Sequence, residues 1–153
     1  MHLKMSDVIT IETYTPNESK NVFSIAKQSG LEPFEIDELE DLYKDWPEGH
    51  FIARNSSGII IGFLIGKKYN TYCSRAYMLA INSGYRNQGI GKRLMDAFEE
   101  LSKKEFKFVV LEVRESNIGA YRFYVRNGYF EKEKLESFYI NGESAIRMIK
   151  EIR

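Results

Sequence analysis

Between Tyr85 and Lys92 the chain reads Tyr85-Arg86-Asn87-Gln88-Gly89-Ile90-Gly91-Lys92, behind the apolar run Ala76-Tyr77-Met78-Leu79-Ala80-Ile81 and ahead of the helix-like Lys92-Arg93-Leu94-Met95-Asp96-Ala97-Phe98. A strand that breaks into a glycine-spaced turn and then opens a helix presents successive backbone N–H groups at a positive helix end, with no side chain in their way. That is an anion site, suited to a pyrophosphate. Downstream, Glu112 is a charged residue inside the apolar strand Leu111-Glu112-Val113. Its carboxylate must reach an open cleft or find a cation such as Arg114 or Arg75, because burying it alone is costly. Tyr121, Phe123 and Tyr124 add phenols and a packing face on the segment that follows.

Two phosphate-binding patterns fail on this stretch. A P-loop needs glycine at position 86 and a hydroxyl residue at 93, where Arg86 and Arg93 stand. A dinucleotide fingerprint starts on Gly89 and Gly91 but ends on Leu94, and three strands read as antiparallel precede it. His2 and His50 are isolated, so no metal site is expected. Cys73 lacks a His/Asp partner at a recognisable spacing, which argues against a thiol nucleophile.

Elements that would hold these residues follow from periodicity. Val8 to Tyr14 alternates as a strand, and Thr15-Pro16-Asn17-Glu18 reads as cap, first-turn proline and capping-box glutamate for a helix to about Gln28, ended by Gly30. Leu31-Glu32-Pro33-Phe34 connects to an acidic amphipathic helix over 35–44. Phe51–Arg54 and Ile59–Gly66 form a hairpin about Asn55-Ser56-Ser57-Gly58, with Gly62 and Gly66 marking close packing or a bulge. A strand over 75–81 leads through the glycine turn into a helix to about Lys103, and Phe106–Arg114 reads as a strand buried on both faces. Ser116-Asn117 caps a helix over 118–126 that stops at Asn127-Gly128. Tyr129–Tyr139 and Ser144–Ile149 alternate about Asn141-Gly142, the signature of a tight hairpin turn. The order β-α-α-β-β-β-α-β-α-β-β implies an α/β fold with a mixed sheet, antiparallel in its first half, and helices on both faces.

With 153 residues, 43% of them apolar, one core is expected, giving a single domain over 1–153 with residues 1–7 as a flexible tail. Twenty-two basic and 22 acidic residues cancel, so no global field favours nucleic acid or an anionic membrane. No apolar run approaches the roughly 18 residues that span a bilayer. One cysteine excludes an internal disulfide, and a cytoplasmic location is the default expectation.

Three ordered blocks resemble the GNAT superfamily of N-acetyltransferases: Arg86-x-x-Gly89-x-Gly91; Leu111-Glu112-Val113-Arg114-Glu115-Ser116-Asn117 with Ala120, Tyr124, Gly128 and Tyr129; and Tyr139-x-Asn141-Gly142-Glu143-x-Ala145. Together they look like the subgroup that acetylates protein N-termini, including the ribosomal-protein alanine acetyltransferases. The resemblance implies the acyl-CoA N-acyltransferase fold, a twisted mixed sheet of about seven strands with about four helices on its two faces. It also implies acetyl-CoA as donor, no metal, and protein or peptide N-termini as acceptors, with an auxiliary subunit or a homodimer both open.

By resemblance, Arg86, Asn87, Gln88, Gly89, Ile90, Gly91 and Lys92 hold the pyrophosphate, with Arg93 as a further source of charge. The backbone of Leu79, Ala80 and Ile81 pairs with the pantetheine arm, and the Ile81 N–H polarises the thioester carbonyl. Asn117 either contacts that arm or simply caps its helix. Tyr124 is implied as the acid for the leaving thiolate and Glu112 as the base, directly or through water. Leu31, Pro33 and Phe34, with Phe138 and Tyr139, would flank the acceptor; the family's aromatic pair has lost one hydroxyl at Phe138. Acetylation of a small amine or a lysine, or a non-catalytic acyl-CoA sensor, are the other readings.

Overall fold

The computed structural model describes residues 7–153. The tail expected over residues 1–7 lies outside these except for Asp7, whose carboxylate accepts hydrogen bonds from Ser56 Oγ at 2.9 Å and Tyr85 Oη at 2.8 Å.

Among the described residues seven strands form one sheet, in the order β1-β2-β3-β4-β5-β7-β6. They are β1 (Thr10–Thr13), β2 (His50–Arg54), β3 (Ile60–Lys68), β4 (Cys73–Ile81), β5 (Phe108–Arg114), β6 (Phe130–Leu135) and β7 (Ala145–Glu151). Among the described residues the α-helices are α1 (Ser19–Gln28), α2 (Ile36–Asp45), α3 (Ile90–Ser102) and α4 (Ile118–Arg126). The first four strands are antiparallel neighbours, β4 and β5 are parallel, and β7 inserts antiparallel between β5 and β6. The element order and mixed sheet are those expected.

Each face of the sheet has its own core. On one side Val22, Ile25 and Ala26 of α1 and Leu39 and Leu42 of α2 bury against Ile52, Phe63, Ile65 and Met78. On the other, Leu94, Met95 and Phe98 of α3 pack with Leu64, Val109, Leu111, Met148 and Tyr129, and Ala120, Phe123 and Tyr124 of α4 close over them. Trp46 stacks edge-on against Phe98 and Phe106, with ring centroids 5.7 and 5.6 Å away. Gly66 is required here: a Cβ would strike the Phe98 ring and come within 2.5 Å of the Gly49 carbonyl oxygen.

Two local expectations change. Glu18 does not close a capping box with Thr15; its carboxylate receives two hydrogen bonds from Arg54 Nη2, at 2.8 and 3.0 Å, and Pro16–Glu18 form a 3₁₀ turn before α1. The Asn141-Gly142 turn forms, with the Gly142 N–H on the Tyr139 carbonyl at 2.8 Å and a Gly142 φ of +88°, but it does not join the ladder. Strand pairing ends at Leu135 and Ala145, leaving residues 136–144 as a loop. Glu143 explains the detour: its carboxylate accepts from the Ser116 N–H at 2.9 Å and from Arg114 at 3.2 Å, drawing the loop towards the end of β5.

Candidate active site

The sheet opens where the chemistry was expected. β4 and β5 pair only at Cys73–Phe108, Ser74–Val109 and Arg75–Val110, and beyond Arg75 no ladder joins them. A bulge assists the divergence: Ile65 faces Met78 while Gly66 faces Ala76, leaving Tyr77 as the extra residue of β4. The Asn82 N–H bonds the Ile61 carbonyl at 2.7 Å. Alternation along an antiparallel ladder then turns the peptide groups of Ile81 and Leu79 away from β3, into the gap, and those of Ala80 towards β3.

One wall of a cleft of about 930 Å³ is this free edge of β4, followed by Arg86, Asn87, Gly89, Ile90, Gly91 and Lys92; the other is Asn117, Ala120, Phe123, Tyr124, Arg126 and Asn127 of α4 and its flanks. Gln88 is exposed and does not line it. Asn87 and Gly89 adopt φ of +62° and +76°, which bends the loop back so that α3 begins at Ile90. Asparagine and glycine are the residues that tolerate that region. Among the described residues no side chain caps α3, which leaves its first-turn N–H groups open to a ligand. Gly91 lets the two helices approach, since a Cβ there would lie 3.3 Å from the Phe123 ring. Arg86 Nε donates to the Ile81 carbonyl at 3.4 Å, and Lys92 pairs with Asp96 at 2.7 Å. Arg86, Lys92 and Arg126 line this cleft and no carboxylate does, although the whole chain is neutral. A bound pyrophosphate and an extended acyl arm fit such a wall.

A second cavity of about 150 Å³ shares Ser29, Leu31, Leu79, Asn117, Ala120 and Tyr124 with the first and continues to Glu32, Tyr77, Glu112, Arg114 and Tyr139. The two meet at Leu79 and Tyr124. Glu112 is nearly enclosed, its side chain 5% exposed, and is paired with Arg75 and Arg147 rather than Arg114. Arg114 instead binds Glu32 at 2.7 Å and Glu143 at 3.2 Å and lies over the Tyr139 ring, 4.0 Å from its centroid. It thereby ties the α1–α2 connection to the 136–144 loop. Burial pushes the Tyr124 phenol above its ordinary value, with Tyr139 adding to the effect. Tyr139 is pushed up to about 12, chiefly by burial, with Arg114 opposing and Glu112 reinforcing. Both stay protonated at neutral pH.

The expected acceptor residues divide. Leu31 and Tyr139 line the small cavity. Pro33 is exposed, Phe34 packs edge-on against Phe23 at 5.3 Å, and Phe138 stacks beside Tyr139 at 5.0 Å; none of these three lines either cavity. Asn117 caps α4 through the Ala120 N–H at 3.1 Å while lining both cavities, so its two readings coexist. Sequence reasoning missed Tyr77, Glu32, Arg126 and Arg147. Tyr77 reads in sequence as an ordinary alternating residue of the β4 run; in the structure it sits at the bulge and lines the small cavity. Glu32 and Arg147 carried no local signal, because their partners lie 82 and 35 residues away.

Residues 19–129 match the family model described as the acetyltransferase (GNAT) family. N-alpha-acetyltransferase 30 of Schizosaccharomyces pombe is 31% identical, over 93% of this chain and 97% of its own length. The N-terminal acetyltransferase B complex catalytic subunit NAA20 of Arabidopsis thaliana is 25% identical, over 92% and 84%. The solved structure of Ard1 from Thermoplasma volcanium superimposes with a TM-score of 0.90 at 31% identity, covering 95% of this chain and 98% of that one. With the glycine loop opening α3 and the β4–β5 gap both in place, the chain belongs to the acetyltransferase (GNAT) family and is an acetyl-CoA-dependent N-acetyltransferase.

Proposed function

We infer that this enzyme transfers the acetyl group of acetyl-CoA to the α-amine at the N-terminus of a protein, by direct attack within a ternary complex. The observation that carries the reading is the junction of the two cavities at Leu79 and Tyr124: a cation-lined donor cleft meets a small acceptor pocket containing Glu112. The names of the S. pombe and A. thaliana relatives support the same acceptor.

Acetyl-CoA supplies the activated acyl group as a thioester. The first-turn N–H groups of α3, with Arg86 and Lys92, hold the pyrophosphate, and the peptide groups of Leu79 and Ile81 receive the extended arm. The Ile81 N–H stabilises charge on the carbonyl oxygen. Glu112, directly or through one water, takes a proton from the α-ammonium, whose reference pKa of about 8 makes it an easier donor than a lysine at about 10.4. The freed amine attacks the carbonyl carbon; the carbon–sulfur bond breaks as the Tyr124 hydroxyl donates its proton to sulfur, and the second proton, shed by nitrogen as it becomes an amide, passes through water to the Tyr124 oxygen and restores the phenol. Leu31 and Tyr139 contact the first residues of the acceptor, and Phe138, Pro33 and Phe34 shape the loops that carry them.

The NAA20 relative is named as the catalytic subunit of a complex, which supports an auxiliary subunit for this chain in place of a homodimer. A cytoplasmic location goes with the reading; among the described residues no helix is long and apolar enough to cross a membrane, and Cys73 is unpaired.

Steady-state transfer from acetyl-CoA to short peptides differing at their first residues, beside spermidine and an Nα-blocked lysine peptide, tests this. Free N-termini are expected to be the preferred acceptors. Preference for spermidine or the blocked peptide would overturn the reading, and tight CoA binding with no transfer to any acceptor would favour a sensor.

A further inference from the structure

We propose that Arg75 and Arg147 are positioning residues for the transfer, clamping the Glu112 carboxylate so that one acceptor site on Oε2 is left for the substrate ammonium or its bridging water. This rests on Glu112 acting as the base. Oε1 of Glu112 accepts from Arg75 Nε at 2.7 Å and pairs with Nη2 of the same guanidinium. Oε2 accepts from Arg147 Nε at 3.0 Å. A carboxylate offers about four lone-pair sites; the Arg75 guanidinium covers Oε1 through a hydrogen bond and an ion pair, while Oε2 takes a single hydrogen bond and keeps a site open.

Three strands supply the clamp, and the register explains why their side chains share a face. Glu112 stands directly opposite Arg147 in the β5–β7 ladder. Arg75 is opposite Val110, two residues before Glu112 and therefore on the same face. Arg75 is also the last residue of β4 paired to β5, so its guanidinium bridges the strands where their backbone hydrogen bonds stop. Each arginine is itself held. Arg75 lies over the Tyr77 ring at 4.9 Å; Arg147 lies over Tyr69 at 5.3 Å and binds Glu133 at 2.8 Å. A guanidinium placed on both sides restricts the carboxylate far more than a lysine would, because its donors form a rigid fork. If the clamp served stability alone, the catalytic constant would not depend on it once the protein is folded.

The test is kinetic, on the full chain with acetyl-CoA and its best peptide, with folding checked by circular dichroism and CoA binding. Arg147→Met is expected to lower kcat about tenfold or more with the KM for acetyl-CoA unchanged, and Arg147→Lys to retain more activity than Arg147→Met. In a Glu112→Gln background the same substitutions should change the residual kcat less than about twofold, since the residue they act through is gone. Equal losses in both backgrounds, a loss confined to the KM for acetyl-CoA, or no loss would each overturn the clamp. Should Arg147→Met fail to fold, Arg147→Lys and Arg75→Lys decide by the same comparison. Glu112→Gln with wild-type kcat would remove the base assignment and the clamp together, whereas an inactive Glu112→Gln beside fully active arginine variants would remove the clamp alone.

Discussion

Tyr124, the proposed acid, illustrates how a single side chain is placed by packing. Its ring rests edge-on against Phe123 at 5.1 Å and Tyr129 at 5.7 Å, and Tyr129 is anchored below by donating to the buried Glu99 at 2.8 Å. Lys150 completes that anchor with an ion pair to Glu99 at 2.7 Å. The position of the Tyr124 ring is therefore set by groups that take no part in transfer. Replacing Tyr124 with Phe keeps those contacts and removes only the hydroxyl, so kcat should fall by about a hundredfold while the KM for acetyl-CoA stays put. Unchanged kcat would remove the proposed acid role. The raised value of the phenol also has a pH consequence: ionisation of Tyr124 should not limit kcat anywhere up to about pH 10, the ordinary tyrosine value, because its proton is retained beyond that point. A kcat profile with an alkaline limb that vanishes in Tyr124→Phe but falls below pH 10 would contradict this.

Elements, more than individual residues, create the site, and two glycines separate the effects. Gly89 at the start of α3 has a positive φ and open space around its missing Cβ, so Gly89→Ala strains only the backbone, by roughly 1–2 kcal/mol. Its expected result is weakened CoA binding, read by calorimetry, with a modest drop in stability. Gly66 in β3 has ordinary backbone geometry but no room, because the Phe98 ring and the Gly49 carbonyl occupy the place of a side chain. Gly66→Ala should lower unfolding stability by about 1–3 kcal/mol in urea titration, and by less only if α3 shifts. The glycine loop and the helix after it were legible in sequence because both are local: spacing, turn chemistry and periodicity lie within a few residues. The hairpin expected at Asn141-Gly142 was legible only as a turn. Where the strands on either side stop pairing depends on Glu143 reaching Arg114, 29 residues away.

At the scale of the molecule, the sheet separates two cores, and His50 is the polar residue committed to one of them. It is fully buried beside the Tyr14 and Tyr43 rings, at 5.9 Å from each, and neither ring nitrogen has a hydrogen-bond partner among the described residues. Burial pushes its pKa down to about 4, with the nearby Gly66 and Leu42 carbonyls offsetting a part. The folded state thus resists protonation that the unfolded chain accepts near 6.5, so stability is full above that pH and is lost as pH falls from about 6.5 towards 4. The loss from this residue is about 3 kcal/mol. Urea unfolding at pH 7.5 and pH 4.5 should show it in the wild type and a clearly smaller difference in His50→Leu; equal pH dependence in both would contradict the assignment.

Sequence alone determined the order of elements, the mixed sheet, the glycine-spaced turn that opens a helix and a charged Glu112 inside an apolar strand, since each is written in periodicity or short-range spacing; Tyr124 was singled out by the family resemblance. Tertiary structure alone decided what surrounds them. It parted β4 from β5 beyond Arg75, turned the peptide groups of Leu79 and Ile81 to the gap, placed Tyr77 in the lining of the small cavity, and set Glu112 between Arg75 and Arg147. It also sent Arg114, the expected neighbour, to Glu32 and Glu143. The physical reason is range: strand register and ion pairing join residues tens of positions apart, and partners at that distance leave no pattern in a window of the chain.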